Sequence, residues 1–334
     1  MTHITPGKAR GLARISDGSG RYAILAIDQR PPLFALICRA LGKADDAVAA
    51  ETGELKALLA STLVSEVSGL LVDPLYGYHT VLPVLPREVG LLLTLEHHVF
   101  ETLPNGHRQS QLIPHWDVAA AVRAGAEALK LLVYYRPDAP DSVRAWQRDL
   151  AQEVGTACRD EDRPFVLEIL PYPLPGESPE AYARSLPALS LAVAEAFADA
   201  SFAVDLYKLA LPGSAEGVRD WGGNLYGVRD LRGVMERLTR VLPAPWVLLS
   251  GGMPSDRFVG ALRASLDAGA RGYLAGRAVW WGPVQAYPDL DAICHNLSQD
   301  GVAVLRALNA ELARIPAAAP TADWRLSLSA GSTR

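Results

Sequence analysis

The sequence predicts a closed (β/α)8 barrel, and three observations lead there. Eight short, nearly continuous apolar runs punctuate the chain, as expected of parallel strands covered on both faces. Stretches of helical periodicity lie between them, which is the pattern of repeated βαβ units. With 334 residues the chain accommodates eight such units, which favours ring closure over an open doubly wound sheet.

The elements run in order as follows. The first strand is predicted over residues 22–28 and is followed by a helix over 45–68. Strands over 69–74 and 90–97 come next. A helix over 116–127 leads into the fourth strand, 128–135. The helix 142–159, the strand 164–172 and the helix 179–200 follow. The strand 206–212 and the helix 229–242 precede the seventh strand, 245–252. A helix over 255–268 and the eighth strand, 272–277, complete the ring, and 290–315 reads as one or two closing helices. All of 1–334 is read as one barrel domain. Its last residues, 316–334, are rich in Ala, Pro and Ser and are expected to form a flexible tail.

Composition excludes several classes. The net charge is -5, from 32 basic and 37 acidic residues, and no basic run offers a footprint for nucleic acid or a membrane surface. No apolar run is long enough to span a bilayer. The N-terminus lacks an apolar signal core. Cys38, Cys158 and Cys294 lie too far apart for metal-ligand spacing or a disulfide framework, which points to a reducing cytoplasm.

Only five lysines occur: Lys8, Lys43, Lys56, Lys130 and Lys208. Arginine preference across the genome accounts for their scarcity, but it makes their positions informative. Lys8, Lys43 and Lys56 are expected in polar or helical surroundings. Lys130 and Lys208 sit inside strands.

Side chains alternate along a strand. In the sixth run the bulky Tyr207, Leu209 and Leu211 share the face that suits a helix layer, so Lys208 and Ala210 point into the barrel. The same count sends Lys130 and Leu132 inward, Glu168 inward with Val166 and Leu170, and Asp28 inward with Ala26. One such residue is ordinarily a snorkelling lysine or a structural ion pair. Four converging charges are costly to bury without a use, and they should meet at the C-terminal end of the barrel.

That set has the makings of imine chemistry. A nucleophilic lysine must shed its proton, although it ordinarily titrates at about 10.4. Burial and a second cation both disfavour the ammonium, and Lys130 is placed to be that cation for Lys208. Arginine cannot substitute, because it stays protonated. Glu168 is the first candidate for the proton shuttle and Asp28 the second. At the ends of strands seven and eight, Ser250-Gly251-Gly252 and Gly276-Arg277 occupy the customary phosphate position of these barrels. Their glycines let backbone N–H groups approach an anion, and Arg277 can bind it bidentately.

At this point the motifs resemble those of the tagatose-1,6-bisphosphate aldolase family. The similarity runs in order through Leu25-Ala26-Ile27-Asp28-Gln29-Arg30, Leu71-Val72-Asp73-Pro74, Leu129-Lys130-Leu131, Leu167-Glu168-Ile169, Tyr207-Lys208, Ser250-Gly251-Gly252 and Gly276-Arg277-Ala278-Val279-Trp280, from about residue 20 to about residue 290. Related sulfofructose-1-phosphate aldolases carry the same motifs, and Tyr207-Lys208 and the 276–280 segment resemble that branch more closely. The resemblance implies a class I aldolase needing no metal or cofactor, with Lys208 forming the imine and Glu168 as acid and base. It implies Lys130 and Asp28 as their neighbours, and Gln29, Ser250, Gly251 and Arg277 in contact with a sugar phosphate. It also implies a symmetric homo-oligomer. The sequence departs from the family at Ala210, where a glutamate is usual.

Three rival readings compete with this one. A metal-dependent barrel is disfavoured, since His97 and His98 would face opposite ways in a strand and His79, His107 and His115 fall in loops. A non-catalytic sugar-phosphate sensor would not need Lys208 with Glu168. A lysine-imine dehydratase or transaldolase remains open. For the far end of the sugar, His79, Arg136 and Arg30 are the candidates.

Overall fold

The computed structural model describes residues 4–44 and 47–317. Eight parallel strands close into a barrel, a TIM barrel, in which each strand pairs with its neighbours in chain order and the last pairs with the first. The strands are β1 Tyr22–Ala26, β2 Gly69–Val72, β3 Gly90–Thr94, β4 Ala128–Tyr134, β5 Phe165–Leu170, β6 Leu206–Leu209, β7 Trp246–Leu249 and β8 Gly272–Ala275. All eight predicted runs are strands. Each stops short of the predicted C-terminal end, because there the backbone leaves the ladder to form the loops of the active face.

The helices are α1 Pro6–Arg14, α2 Pro31–Leu41, α3 Ala49–Leu63, α4 Tyr78–Val81, α5 Val118–Arg123, α6 Asp141–Asp160, α7 Pro179–Ala196, α8 Val228–Val241, α9 Ser255–Asp267, α10 Arg277–Trp280, α11 Leu290–Asn296 and α12 Val302–Leu312. Side-chain caps fix where several begin: Asp117 starts α5, Ser178 starts α7 and Asp289 starts α11, each accepting a bond from the backbone N–H three residues on. The helix expected over 45–68 is shorter than predicted, and α1 and α2 were not predicted. The segment 290–315 is two helices joined by a π-helical turn, Leu297–Gly301. A two-stranded hairpin, Glu101–Thr102 with Arg108–Gln109, interrupts the connection from β3 to β4. The tail expected over 316–334 lies, beyond residue 317, outside the described residues.

The two faces of the strands separate cleanly. Ile24, Leu71, Leu92, Val166, Leu206, Val247 and Leu274 fill the barrel interior, with Leu12 and Ile15 of the α1 segment plugging its lower end. Gly11 lets α1 come that close: a Cβ there would lie 2.5 Å from the Glu127 carbonyl oxygen. Leu25, Leu129, Leu131, Val133, Leu167, Tyr207 and Leu209 face the helix layer instead. The predicted facing of β1, β4, β5 and β6 is therefore the observed one. Above the apolar plug, the upper inward positions are left for charged side chains.

Candidate active site

Above the plug lies a cavity of about 480 Å³ at the C-terminal end of the strands. Asp28, Gln29, Lys130, Glu168, Lys208, Ser250, Gly251, Gly252, Gly276 and Arg277 all line it. Register explains the centre of the group: Glu168 and Lys208 are paired positions on adjacent strands, and Glu168 is also paired with Leu132, two residues after Lys130.

Both lysines end on one oxygen. Lys208 Nζ and Lys130 Nζ each lie 2.7 Å from Glu168 Oε2. Lys130 also reaches Asp28 at 3.2 Å and Glu96 at 2.6 Å. All five side chains are buried. Burial alone would neutralise Lys130, but Glu168, Glu96 and Asp28 together outweigh it and push its pKa well above the usual lysine value. Burial would likewise raise Glu168 and Asp28. For Glu168, the two lysines reverse that and hold the carboxyl below its ordinary range; for Asp28, Lys130, Lys208 and Arg30 do so. The centre is thus two lysines and three acidic side chains in contact, with Arg30 beside them.

Glu96 was not anticipated. It lies two residues past the end of β3, on the inward face of Leu92 and Thr94. One oxygen accepts from Lys130 and the other from the Leu132 N–H at 3.1 Å. The same period-two count that found Lys208 reaches it. Arg30 donates to the Glu96 carbonyl oxygen at 3.2 Å.

The loops after β7 and β8, expected from the sequence to bind an anion, lie together at the cavity. Gly251 and Gly252 both have positive φ, +58° and +85°, which turns the chain sharply above β7. The Gly276 N–H donates to Ser250 Oγ at 3.2 Å, joining the two loops. Arg277 lies against Gly252, where a Cβ would meet its guanidinium carbon at 3.0 Å. Arg277 has no ion-pair partner among the described residues. Trp280 donates to the Ala26 carbonyl oxygen at 3.0 Å and fixes α10 over β1.

Several expectations fail. His97 and His98 do not face opposite ways. Extended pairing ends at the bridge between Glu96 and Leu112, alternation ends with it, and both rings line the cavity with centroids 4.6 Å apart. Burial, then Arg30 and His97, push His98 down to about 4, so it is neutral. No cluster of His, Cys, Asp and Glu among the described residues forms a metal site. Arg136 points away from the cavity into ion pairs with Asp138 and Glu177, both at 2.8 Å. His79 is exposed on α4, and only Arg30 of the three far-end candidates lines the cavity. Lys8 and Lys56 do sit on helices, α1 and α3, and are buried there against carboxylates: Lys8 pairs with Asp205 at 2.7 Å, and Lys56 with Asp73.

Four polar atoms of the site have no protein partner although buried: Asp28 Oδ1, Gln29 Oε1, Arg30 Nε and His98 Nδ1. Such atoms are costly to leave bare, and their gathering in one cavity marks it as built for a polar ligand.

Comparison with known proteins bears on family and fold. The model of the DeoC/LacD family aldolases matches residues 23–282. The tagatose 1,6-diphosphate aldolase of Lactococcus lactis subsp. lactis is 31% identical over 291 residues, covering 85% of this chain and 88% of that protein. Among solved structures, the fructose-bisphosphate aldolase of Plasmodium falciparum superposes with a TM-score of 0.64 at 14% identity, covering 92% of this chain and 97% of its own. A Schiff base forming fructose-1,6-bisphosphate aldolase gives 0.57 at 20% identity, covering 91% and 99%. At those identities the structures share the barrel. No helix among the described residues is long and apolar enough to cross a membrane.

Proposed function

The chain belongs to the DeoC/LacD family of aldolases, and on that premise we propose that it cleaves a ketose phosphate or bisphosphate through an imine on Lys208. The products are dihydroxyacetone phosphate and an aldehyde, and neither metal nor organic cofactor takes part. The observation that carries this reading is the pair of lysines meeting on Glu168 Oε2.

The geometry distinguishes the two lysines. Attack on a carbonyl needs the neutral amine. Deprotonating Lys130 would break contacts with three carboxylates, whereas Lys208 holds a single carboxylate, and that one is shared. Lys208 is therefore the nucleophile and Lys130 the permanent cation. Glu168 is the proton acceptor within reach of Lys208 Nζ.

In the proposed sequence the Lys208 amine adds to the ketone at C2. The carbinolamine oxygen takes a proton and leaves as water, giving the iminium. A carboxylate then removes the proton of the C4 hydroxyl, the C3–C4 bond breaks toward the iminium, and the aldehyde departs. Protonation of the enamine at C3 and hydrolysis return the ketone product and the free lysine. Glu168 is the acid and base, with Asp28 in support. Arg277, Ser250 and the 251–252 backbone hold the C1 phosphate, with Gln29 against the Gly276 turn. Supporting this split of roles, Arg277, which has no ion-pair partner among the described residues, lines this end of the cavity, where an anion would add charge balance.

The test is direct. The protein is incubated with dihydroxyacetone phosphate and borohydride, and the adduct is mapped by mass spectrometry. A single adduct on Lys208, absent from Lys208→Met, is expected. No adduct, or one on Lys130, refutes the assignment.

A further inference from the structure

The cavity wall includes a polar ring that the chemistry above leaves unused. His98 follows β3 and Glu96, and its side chain lines the cavity. Strand order follows chain order around the barrel, so β3 stands across from β7. Ser250, Gly251 and Gly252 follow β7 and hold the C1 phosphate in the proposed reaction. His98 therefore faces the other half of the substrate, the half that leaves as the aldehyde.

Its ring nitrogens have no protein partners. Neither bonds to any of the described residues. Nδ1 is enclosed, which leaves Nε2 as the accessible nitrogen of the ring. Packing alone does not account for this choice of residue. A phenyl ring would fill the same place without two bare polar atoms.

The ring is clamped in place. Its centre lies 5.9 Å from that of Phe34 and 6.3 Å from that of Tyr76, both edge to face, and 4.6 Å from that of His97. Tyr76 is fixed in turn from beneath. Its N–H, at 2.8 Å, and that of Leu75, at 3.1 Å, donate to Asp73 Oδ1, while the other Asp73 oxygen pairs with Lys56. Both members of that pair are fully buried. At Gly77 a Cβ would fall 2.4 Å from Val72 Cγ2, so this turn closes directly onto β2. The imidazole is thus presented from a rigid base, which lowers the ordering cost of binding.

The chemistry of the ring selects its ligand. Uncharged near neutral pH, it offers an anion much less than Arg277 does. A hydroxyl suits it better. Nε2 donates in one tautomer and accepts in the other, and a hydroxyl can answer either. Glu96, two residues before His98, touches Lys130 at the reaction centre, so the ring stands close to the cleaved bond. The first hydroxyl of the aldehyde half beyond that bond is on C5. We propose that His98 Nε2 hydrogen-bonds the C5 hydroxyl of the substrate and so sets the configuration accepted at that carbon. This rests on the aldolase reading above. The opposite configuration turns its hydroxyl away and leaves Nε2 bare, which penalises the wrong isomer.

Condensation kinetics test this with acceptors that differ only at that carbon. Dihydroxyacetone phosphate is condensed with D-glyceraldehyde 3-phosphate, with its L-enantiomer, or with 3-phosphooxypropanal, which lacks the hydroxyl, using the parent, His98→Phe and His98→Gln. Phenylalanine keeps a ring against Phe34 and Tyr76 but removes the nitrogens, and glutamine returns a polar atom near the position of Nε2. The parent should prefer one enantiomer. In His98→Phe the KM for that enantiomer should rise by about 5- to 10-fold, the enantiomer preference should fall by the same factor, and His98→Gln should recover part of both. The KM for 3-phosphooxypropanal and for dihydroxyacetone phosphate should stay within about twofold. A parent without enantiomer preference, a preference unchanged in His98→Phe, an equal rise for 3-phosphooxypropanal, no recovery in His98→Gln, or loss of the borohydride-trapped adduct from His98→Phe would each overturn the proposal. Absence of that adduct from the parent protein would instead count against the imine reading.

Discussion

Replacing Lys130 by methionine separates the electrostatic frame of the site from the proposed nucleophile, Lys208. The side chains are similar in length, so the substitution removes a charge with little change in packing. The parent ammonium is 2% exposed and touches Asp28, Glu96 and Glu168. Without it, three buried carboxylates are left with Lys208 and Arg30 for cations. Removing one partner of a buried ion pair costs about 3–5 kcal/mol, which at this chain length corresponds to a fall in Tm of about 10 °C. The pH dependence is the sharper signature. In the parent, Glu168 and Asp28 titrate below their unfolded values. Their stabilisation is therefore complete above the unfolded carboxylate range and is lost only as pH falls through the folded values. From about pH 8 to about pH 5 the parent should be nearly flat in this contribution. In Lys130→Met, burial dominates and lifts Glu168 above its unfolded value. The penalty is then present at pH 8 and relieved as pH falls, so the variant gains stability on acidification. Urea denaturation across that range measures the slope. A variant as stable as the parent, with the parent's flat profile, would refute the account of Lys130 as the charge that keeps Glu168 ionised.

Two further outcomes follow from the same geometry. Gly252→Ala should lose about 1–2 kcal/mol through its positive φ and raise the KM for dihydroxyacetone phosphate, because its Cβ displaces the Arg277 guanidinium. Gly176→Ala has an equally left-handed backbone, φ +82°, but open space around the Cβ, and should show the stability loss without the KM change. Equal KM values in the two variants would dissociate Gly252 from Arg277. Exhaustive dialysis against a chelator should leave cleavage activity unchanged, measured by coupled detection of the triose product. Loss of activity, restored by a divalent cation, would contradict the metal-free mechanism.

The barrel was legible because its strands are buried on both faces and so are written as uninterrupted apolar runs. What the sequence concealed were elements that break the usual signals. α2 opens with Pro31-Pro32, which reads as a turn although proline is well accommodated in a first helical turn, and its apolar residues run almost all round. The hairpin over 101–109 has two residues in each strand, too few for any periodicity to register.

The site was legible through one rule, side-chain alternation, and it failed where that rule stops. Lys208, Lys130, Glu168 and Asp28 sit within strands or just past their ends, and a count of two places all of them. Glu96 obeys the same count but stands beside His97 and His98, which draw attention as possible ligands. His97 and His98 escape the count because the strand has ended, and both turn inward. Arg136 was misplaced for a different reason: alternation specifies a face, not a partner, and Asp138 and Glu177 hold it away from the cavity. Ala210 shows what remained readable. It lines the cavity beside Lys208, at the position where the resemblance implies a glutamate. Glu96 does not take its place, since it reaches Lys130 from β3 rather than flanking Lys208 from β6. A carboxylate at 210 would have given Lys208 a second acidic neighbour and stabilised its ammonium. With alanine there, Lys208 keeps one shared carboxylate, and the difference between it and Lys130 is as wide as this barrel allows. Alanine at this position thus favours the proposed division between Lys208 as nucleophile and Lys130 as fixed charge.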